Sequence, residues 1–271
     1  LRIVPIYLLS DGILGLTVPR TAFKKNFEPA AKRALETFVS KHADLNLSEP
    51  RVIVLVPSSR KSAVLALDKL AAIESAQLIV ANTHGRKGIS RAVLGSFSET
   101  LIQYCKHPVV VSGPHVTRAV DLSKIMFATD FSKRSSIAFK KALDTAKMFG
   151  AELVLYHSVP DPIGPFVASG ANLVAGGWVP LEQIAQKTAN DRSSLAKKWV
   201  AAAIQEGVKC TAAVEAGGTS ADQNIVNYAD KHRVGVISMA SQSGPLEAAL
   251  LGSVVRKVVR GAECPVIVFR T

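Results

Sequence analysis

Residues Ile125–Val159 read IMFATDFSKRSSIAFKKALDTAKMFGAELVLYHSV. Ile125–Ala128 is a short β-rich run that stops at Thr129-Asp130. Ser132 is placed to cap the helix that follows, in which Ala138, Ala142, Ala146 and Phe149 recur at helical spacing on one face. Gly150 ends that helix, and Leu153–Tyr156 forms a second strand. Both strands are continuous apolar runs rather than in-out alternations, which predicts a parallel sheet covered on both faces.

Outward from this unit the alternation continues. A Pro/Gly-rich loop, Pro160–Pro180, precedes a long helix over Leu181–Gln205, with Trp199, Val200 and Ile204 expected on its buried side and Gly207 closing it. Strand Lys209–Val214, helix Ala221–His232, strand Val234–Met239, helix Ser253–Arg260 and strand Pro265–Phe269 complete the series.

The last part of that series occurs twice. Leu78–Val111 reads LIVANTHGRKGISRAVLGSFSETLIQYCKHPVVV, and Gly235–Phe269 reads GVISMASQSGPLEAALLGSVVRKVVRGAECPVIVF. Each holds a strand, a loop, a Leu-Gly-Ser step, an amphipathic helix and a strand entered through Pro. Gly95-Ser96 and Gly252-Ser253 lie 157 positions apart.

An earlier copy is therefore read with strand Ile3–Leu9, helix Phe23–His42, strand Arg51–Pro57, helix Ser62–Ile73 and strand Leu78–Ala81. Nothing in it matches Ile125–Gly150. The expected organisation is a domain over 1–114, a linker over 115–121 and a second domain over 122–271. The first copy would lack its first strand and helix, with a natural start about 30 residues upstream of Leu1, judged from ordinary domain size. The terminal strands Pro108–Val111 and Pro265–Phe269 need covering at their edges, and mutual pairing would cover them.

Composition bounds the function. With 48% hydrophobic and 20% charged residues the chain has ample material for packed cores. No apolar run reaches the roughly 18 residues of a bilayer span, so no membrane partner is expected. Cys105, Cys210 and Cys264 form no CxxC pair and no metal spacing with His, which fits a reduced, cytoplasmic setting. The formal charge of +12 raises the question of nucleic acid. The basic pairs Lys24-Lys25, Lys32-Arg33, Lys140-Lys141 and Lys197-Lys198 are scattered over helix faces, without the aromatic-basic interleaving of an RNA-binding sheet. Solvated helix faces explain them, and nucleic acid is not the expected partner.

The strand–helix–strand Ile125–Val159 and the loop NTHGRKGISRAVLGS resemble two signatures of the universal stress protein family, the second being its nucleotide loop, G-x2-G-x9-G-[S/T]. The resemblance spans essentially the whole chain. It implies two tandem α/β domains of doubly wound parallel sheet (adenine nucleotide alpha hydrolase-like), strand order 3-2-1-4-5, with self-association through the last strands. Some members bind ATP and others do not. In a doubly wound sheet ligands sit beyond the strand carboxyl ends where the order reverses, here between the first and fourth strands.

Carried over, the family's loop positions fall in copy one on Asn82, Gly85 and Gly95, with Ser96 completing the motif. Asn82 replaces a Gly but tolerates left-handed backbone. Gly85 lets backbone approach an anion, Gly95-Ser96 opens a helix whose free N–H groups favour phosphate, and Ser98 adds a hydroxyl. His84 is read as a loop-lining polar residue rather than a base. The alternative is that Gly85 and Gly88 only turn the loop while Gly95-Ser96 starts a helix. In copy two the same positions are Met239, Gln242, Gly252 and Ser253. Side chains there are expected to crowd the phosphate, and Val255 stands where copy one has Ser98, so the glycine pattern makes copy one the expected nucleotide site and leaves that of copy two half dismantled. Ala128, Thr129 and Asp130 match the adenosine side, although Asp130 before Ser132 is also ordinary helix-start chemistry.

The resemblance implies a non-catalytic stress-response module that takes an adenine nucleotide, ATP with Mg, through cofactor-binding residues and no catalytic ones. Any hydrolysis would be slow, since GxxxxGK[ST] and an acidic metal pair are both missing. The competing reading is a nucleotide-free scaffold acting through protein contacts. A flavin protein on a similar sheet and a nucleic-acid binder are weaker alternatives, tested by absorbance and by salt-dependent retention on DNA.

Overall fold

The computed structural model describes residues 2–10, 19–55, 58–82, 95–116, 119–159, 181–216, 220–241 and 252–271. Strands alternate with helices throughout. The order is β1 (Ile6–Ser10), α1 (Arg20–Lys41), β2 (Arg51–Leu55), α2 (Arg60–Ile73), β3 (Ile79–Asn82), α3 (Ser96–Tyr104), β4 (Val109–Ser112), β5 (Lys124–Ala128) and α4 (Lys133–Phe149). Then follow β6 (Glu152–Val159), α5 (Leu181–Gln205), β7 (Cys210–Ala216), α6 (Ala221–Lys231), β8 (Val236–Ser241), α7 (Ser253–Gly261) and β9 (Val266–Arg270).

The seven-stranded sheet has the order β3-β4-β9-β8-β5-β6-β7. Within it, copy two forms the complete series β7-β6-β5-β8-β9, which is the expected 3-2-1-4-5. Ile125, Met126, Phe127 and Ala128 of the central strand β5 are all buried, as a strand covered on both faces requires. Phe127, Leu153, Leu155, Ile267 and Phe269 pack with Phe139 and the partly buried Trp199 and Val200. Each such large side chain contributes about 1.5–3 kcal/mol by leaving water. Ile204, expected inward, is 58% exposed instead. It lies beyond Ala203, which takes the core position on that turn of α5.

Local chemistry sets the element ends. The Ser132 hydroxyl accepts the Ser135 N–H at 3.2 Å, and Gly150 closes α4 at φ 61°, in the left-handed region that glycine adopts freely. Strand β6 runs on past Tyr156 to Val159, because His157 and Ser158, polar residues that suggest a strand end, pair with Val214 and Glu215 of β7. Helix α2 begins at Arg60 rather than Ser62, since Ser59 and Ser62 cap each other reciprocally.

The terminal strands pair as expected. Val109, Val110 and Val111 of β4 face Val268, Ile267 and Val266 of β9 in antiparallel register. Each strand is entered through a proline whose carbonyl still serves the ladder: Pro108 accepts from Ile79 N and Pro265 from Ile237 N. Gly113 follows β4 against the last turn of α7, where any Cβ would overlap the Val259 carbonyl oxygen.

The compact units do not follow the repeat boundary. One unit is Leu1–Ala76 and the other Gln77–Thr271. In the first, β1 and β2 form a parallel pair in a sheet of their own, with Leu9, Phe23 and Ala31 as its buried cluster. In the second, β3 and β4 of copy one are hydrogen-bonded into the sheet of copy two.

Candidate functional site

The order of copy two reverses between β5 and β8, where Ala128 is in register with Met239. Beyond β5 the chain makes two tight side-chain turns. The Thr129 hydroxyl accepts the Phe131 N–H at 3.0 Å, and Asp130 Oδ1 accepts the Ser132 N–H at 2.9 Å and the Ser135 hydroxyl at 2.5 Å. Partial burial alone would raise the Asp130 carboxyl, but the Ser135 and Ser132 donors outweigh it and hold it below its ordinary value. Asp130 stays an anion, exposed at the mouth of the reversal point.

Three residues that carried no sequence signal complete this corner. Phe131 has φ 56°, a left-handed backbone unusual for an aromatic, and is held there edge-on to Trp199 and against His157. Buried His157 reaches from β6 to the Thr129 carbonyl at 2.6 Å through Nδ1. A carbonyl only accepts, so Nδ1 carries the proton and Nε2 is the acceptor of a neutral ring. Burial lowers the imidazole below its ordinary 6.5, and the Thr129 bond does not reverse this. Arg192, on α5, donates to the Asp130 carbonyl at 3.0 Å. Distances of 28 and 62 residues along the chain hide both from any motif.

On the β8 side, Ser241 ends the strand with its side-chain oxygen buried and, among the described residues, without a hydrogen-bond partner. An unbonded buried hydroxyl costs about 1–3 kcal/mol, a cost a ligand would remove. Helix α7 opens on Gly252, which has no side chain to cap it, and a Cβ at Gly252 would meet nothing within 4 Å. Ser253 is exposed beside it. Orphan N–H groups at such a start attract anions. Gln242 lies outside the described residues.

The strand ladders correct the alignment of the two loops. Ser75 and Arg233, both left-handed at φ 51° and 50°, are 158 positions apart, as are Ile79 and Ile237 in their ladders. Gly95 and Gly252 are 157 apart, so the intervening loop is one residue shorter in copy two. Ala240, not Met239, occupies the ladder position of Asn82. Met239 is a buried strand residue, so the crowding expected of it does not come from its side chain.

In copy one, Asn82 ends β3, Gly95 opens α3 without a side-chain cap, Ser96 is its exposed first residue and Ser98 is buried. His84 and Gly85 lie outside the described residues. Among the described residues β3 is paired on one side only, so no counterpart of Asp130 faces Gly95. Strands β3 and β4 run antiparallel to β9, β8 and β5. The carboxyl ends of β3 and β5 therefore point to opposite ends of the sheet. The candidates of the two copies form two places, not one. No helix of the described residues is long and apolar enough to cross a membrane.

The comparisons follow the same division. The family model of the universal stress protein family matches residues 18–112 and 122–270. A universal stress protein of Methanocaldococcus jannaschii is 34% identical over 149 residues, covering 54% of this chain and 81% of that protein. One from Mycolicibacterium smegmatis is 33% identical over 144 residues, covering 51% of this chain but only 48% of its own length. A solved universal stress protein of Archaeoglobus fulgidus DSM 4304 superposes on 99% of this chain and 87% of its own with a TM-score of 0.65, at 20% identity. Two matched segments, spanning both copies of the repeat, establish that the chain belongs to the universal stress protein family.

Proposed function

We propose that this chain is a stress-response module that binds an adenine nucleotide without turning it over, and that the crevice of copy two between β5 and β8 is where it binds. The observation carrying this reading is the buried hydroxyl of Ser241, unbonded among the described residues, at the end of β8, the strand that pairs with β5 where the order reverses. Gly252 and Ser253 would meet the phosphates through backbone N–H groups, and Ala128, Thr129 and Asp130 would line the nucleoside side. Neutral His157 fixes the Thr129 carbonyl, and Arg192 fixes that of Asp130. Copy one keeps the phosphate-side residues Asn82, Gly85, Gly95, Ser96 and Ser98, with His84 in the same loop, but lacks a facing carboxylate among the described residues.

The test is ligand content and affinity. Adenine nucleotide released from the purified chain, and calorimetric ATP binding lost in Gly252→Trp but kept in Gly95→Trp, is the expected result. Loss in Gly95→Trp alone would return the site to copy one, as the glycine pattern first suggested. Repeated absence of nucleotide and of ATP binding would favour the scaffold reading. Adding Mg to the same titration tests whether the metal accompanies the nucleotide.

A further inference from the structure

Strand β7 is the outermost strand of the seven-stranded sheet. Leu153 N donates to the Lys209 carbonyl at 2.8 Å, and Leu153 is in register with Cys210. Alternate residues of a parallel strand turn both polar groups to the same side. Thr211 and Ala213 therefore bond β6, while Cys210, Ala212 and Val214 turn their N–H and C=O groups outward. Among the described residues no strand takes them. Exposed edges are ordinarily blunted by Lys, Pro, bulges or short length. The matching strand of copy one, β2, is five residues long and opens on Arg51, which is ion-paired with Glu74. Strand β7 runs seven residues, CTAAVEA, with no Lys, Arg or Pro.

Beside this edge a groove of about 580 Å³ lies between α5 and β7. Ala196, Ala201 and Ala212 leave room in it, Val200 and Ile204 make it apolar, and Lys197 stands on its wall. Among the described residues the lining includes Lys197 and no acidic residue, on a chain of net charge +12. A second copy docked here would bring two Lys197 side chains and two basic molecules together, so charge selects an acidic occupant instead.

We propose that the β7 edge and its groove bind an extended segment of another protein, alternating apolar and acidic residues, as an added strand of the sheet. The backbone of Ala212 and Val214 supplies the ladder, the groove takes the apolar side chains, and Lys197 takes a carboxylate. This goes beyond nucleotide binding and does not depend on it.

The probe is a fluorescein-labelled decapeptide alternating valine with glutamate, titrated into the full chain, with amide exchange read in parallel. Saturable binding is expected, with slowed exchange at Ala212 and Val214 and little change at Thr211 and Ala213, already bonded to β6. Ala212→Pro removes an outward N–H without touching the β6 ladder, and should abolish binding while the melting temperature holds. Lys197→Glu, on an exposed helix face and harmless to folding, should weaken binding about tenfold. The valine-lysine counterpart should bind poorly to the unmodified chain and better to Lys197→Glu. Equal binding of both peptides, or unchanged binding in both variants, would overturn the proposal. Self-association abolished by Ala212→Pro would also overturn it, by giving the edge to a second copy.

Discussion

Copy one and copy two share their order of elements, their proline-entered last strands and a left-handed residue after the helix that precedes the fourth strand. They differ in what holds them together. In copy two β5 is bonded on both sides, to β6 and β8, and every residue from Ile125 to Ala128 is buried. The described residues of copy one contain no strand of that kind. Its β1 and β2 keep to a small unit around Phe23, and its β3 and β4 are bonded into the sheet of copy two through β9. The central strand makes the repeat a domain. The outer strands serve whichever neighbour offers a ladder.

The largest effect should come from importing a copy-one residue into copy two. By the strand ladders Gly235 corresponds to Gln77. A Cβ at Gly235 would collide with the Asp121 backbone carbonyl, because the chain entering β5 crosses at that point. Gly235→Gln should cost more than about 4–5 kcal/mol and leave little folded second unit, as read by expression and thermal unfolding. The reciprocal Gln77→Gly should cost less than about 1 kcal/mol. Two variants of equal stability would break the comparison at its root.

Next in size are the cores. Phe269→Ala should cost about 3–5 kcal/mol and lower the whole second unit cooperatively. Phe23→Ala removes the largest member of a much smaller cluster, so amide protection should vanish over β1, β2 and α1 while β6 and β7 keep theirs. Protection lost throughout the chain in Phe23→Ala would mean that the small unit is integral to the large one.

Much of this architecture was legible in the sequence because apolar runs and helix caps are local. Ser132, Gly150 and the span Leu181–Gln205 all follow from residues within a turn or strand of one another. The division of copy one was harder to read, since periodicity identifies a strand but not the neighbour that bonds it. Nor was the corner around Asp130 readable in full. Its turn chemistry is local, whereas His157 and Arg192 arrive from other elements. The one-residue difference between the loops escaped because Gly-Ser anchors only one end, and the ladder of β8 is needed to fix the other.

The corner of copy two also has a pH signature that copy one should lack. The folded His157 imidazole lies below its ordinary 6.5, so the unfolded chain binds the extra proton as pH falls. Stability is fully present above about 6.5 and is lost as pH falls from there toward the lowered folded value. One proton gives a slope of at most about 1.4 kcal/mol per pH unit. His157→Gln keeps a donor for the Thr129 carbonyl and should flatten the slope below about pH 6.5 in denaturation midpoints. The depressed Asp130 carboxyl acts in a lower window, its contribution present above the ordinary carboxyl range and lost on further acidification. A slope surviving in His157→Gln would assign it to other groups.

The smallest effect belongs to the seam between the copies. Glu99 of α3 faces two arginines of α7, with Arg256 Nε at 3.2 Å and Arg260 Nη2 at 3.8 Å. All three side chains are about one-third exposed, so solvent screens them and long side chains must be ordered to hold the contact. The Val-rich ladder of β4 with β9, and Arg270 of β9 donating to the Tyr104 carbonyl of α3 at 2.7 Å, join the two copies without that carboxylate. Glu99→Gln should therefore cost less than about 1 kcal/mol, and the difference should shrink further in high salt, where exposed charges are screened. Urea midpoints of the two proteins at low and high ionic strength measure it. A loss above about 2 kcal/mol that salt leaves unchanged would mean that the carboxylate, rather than the paired strands, couples the two copies.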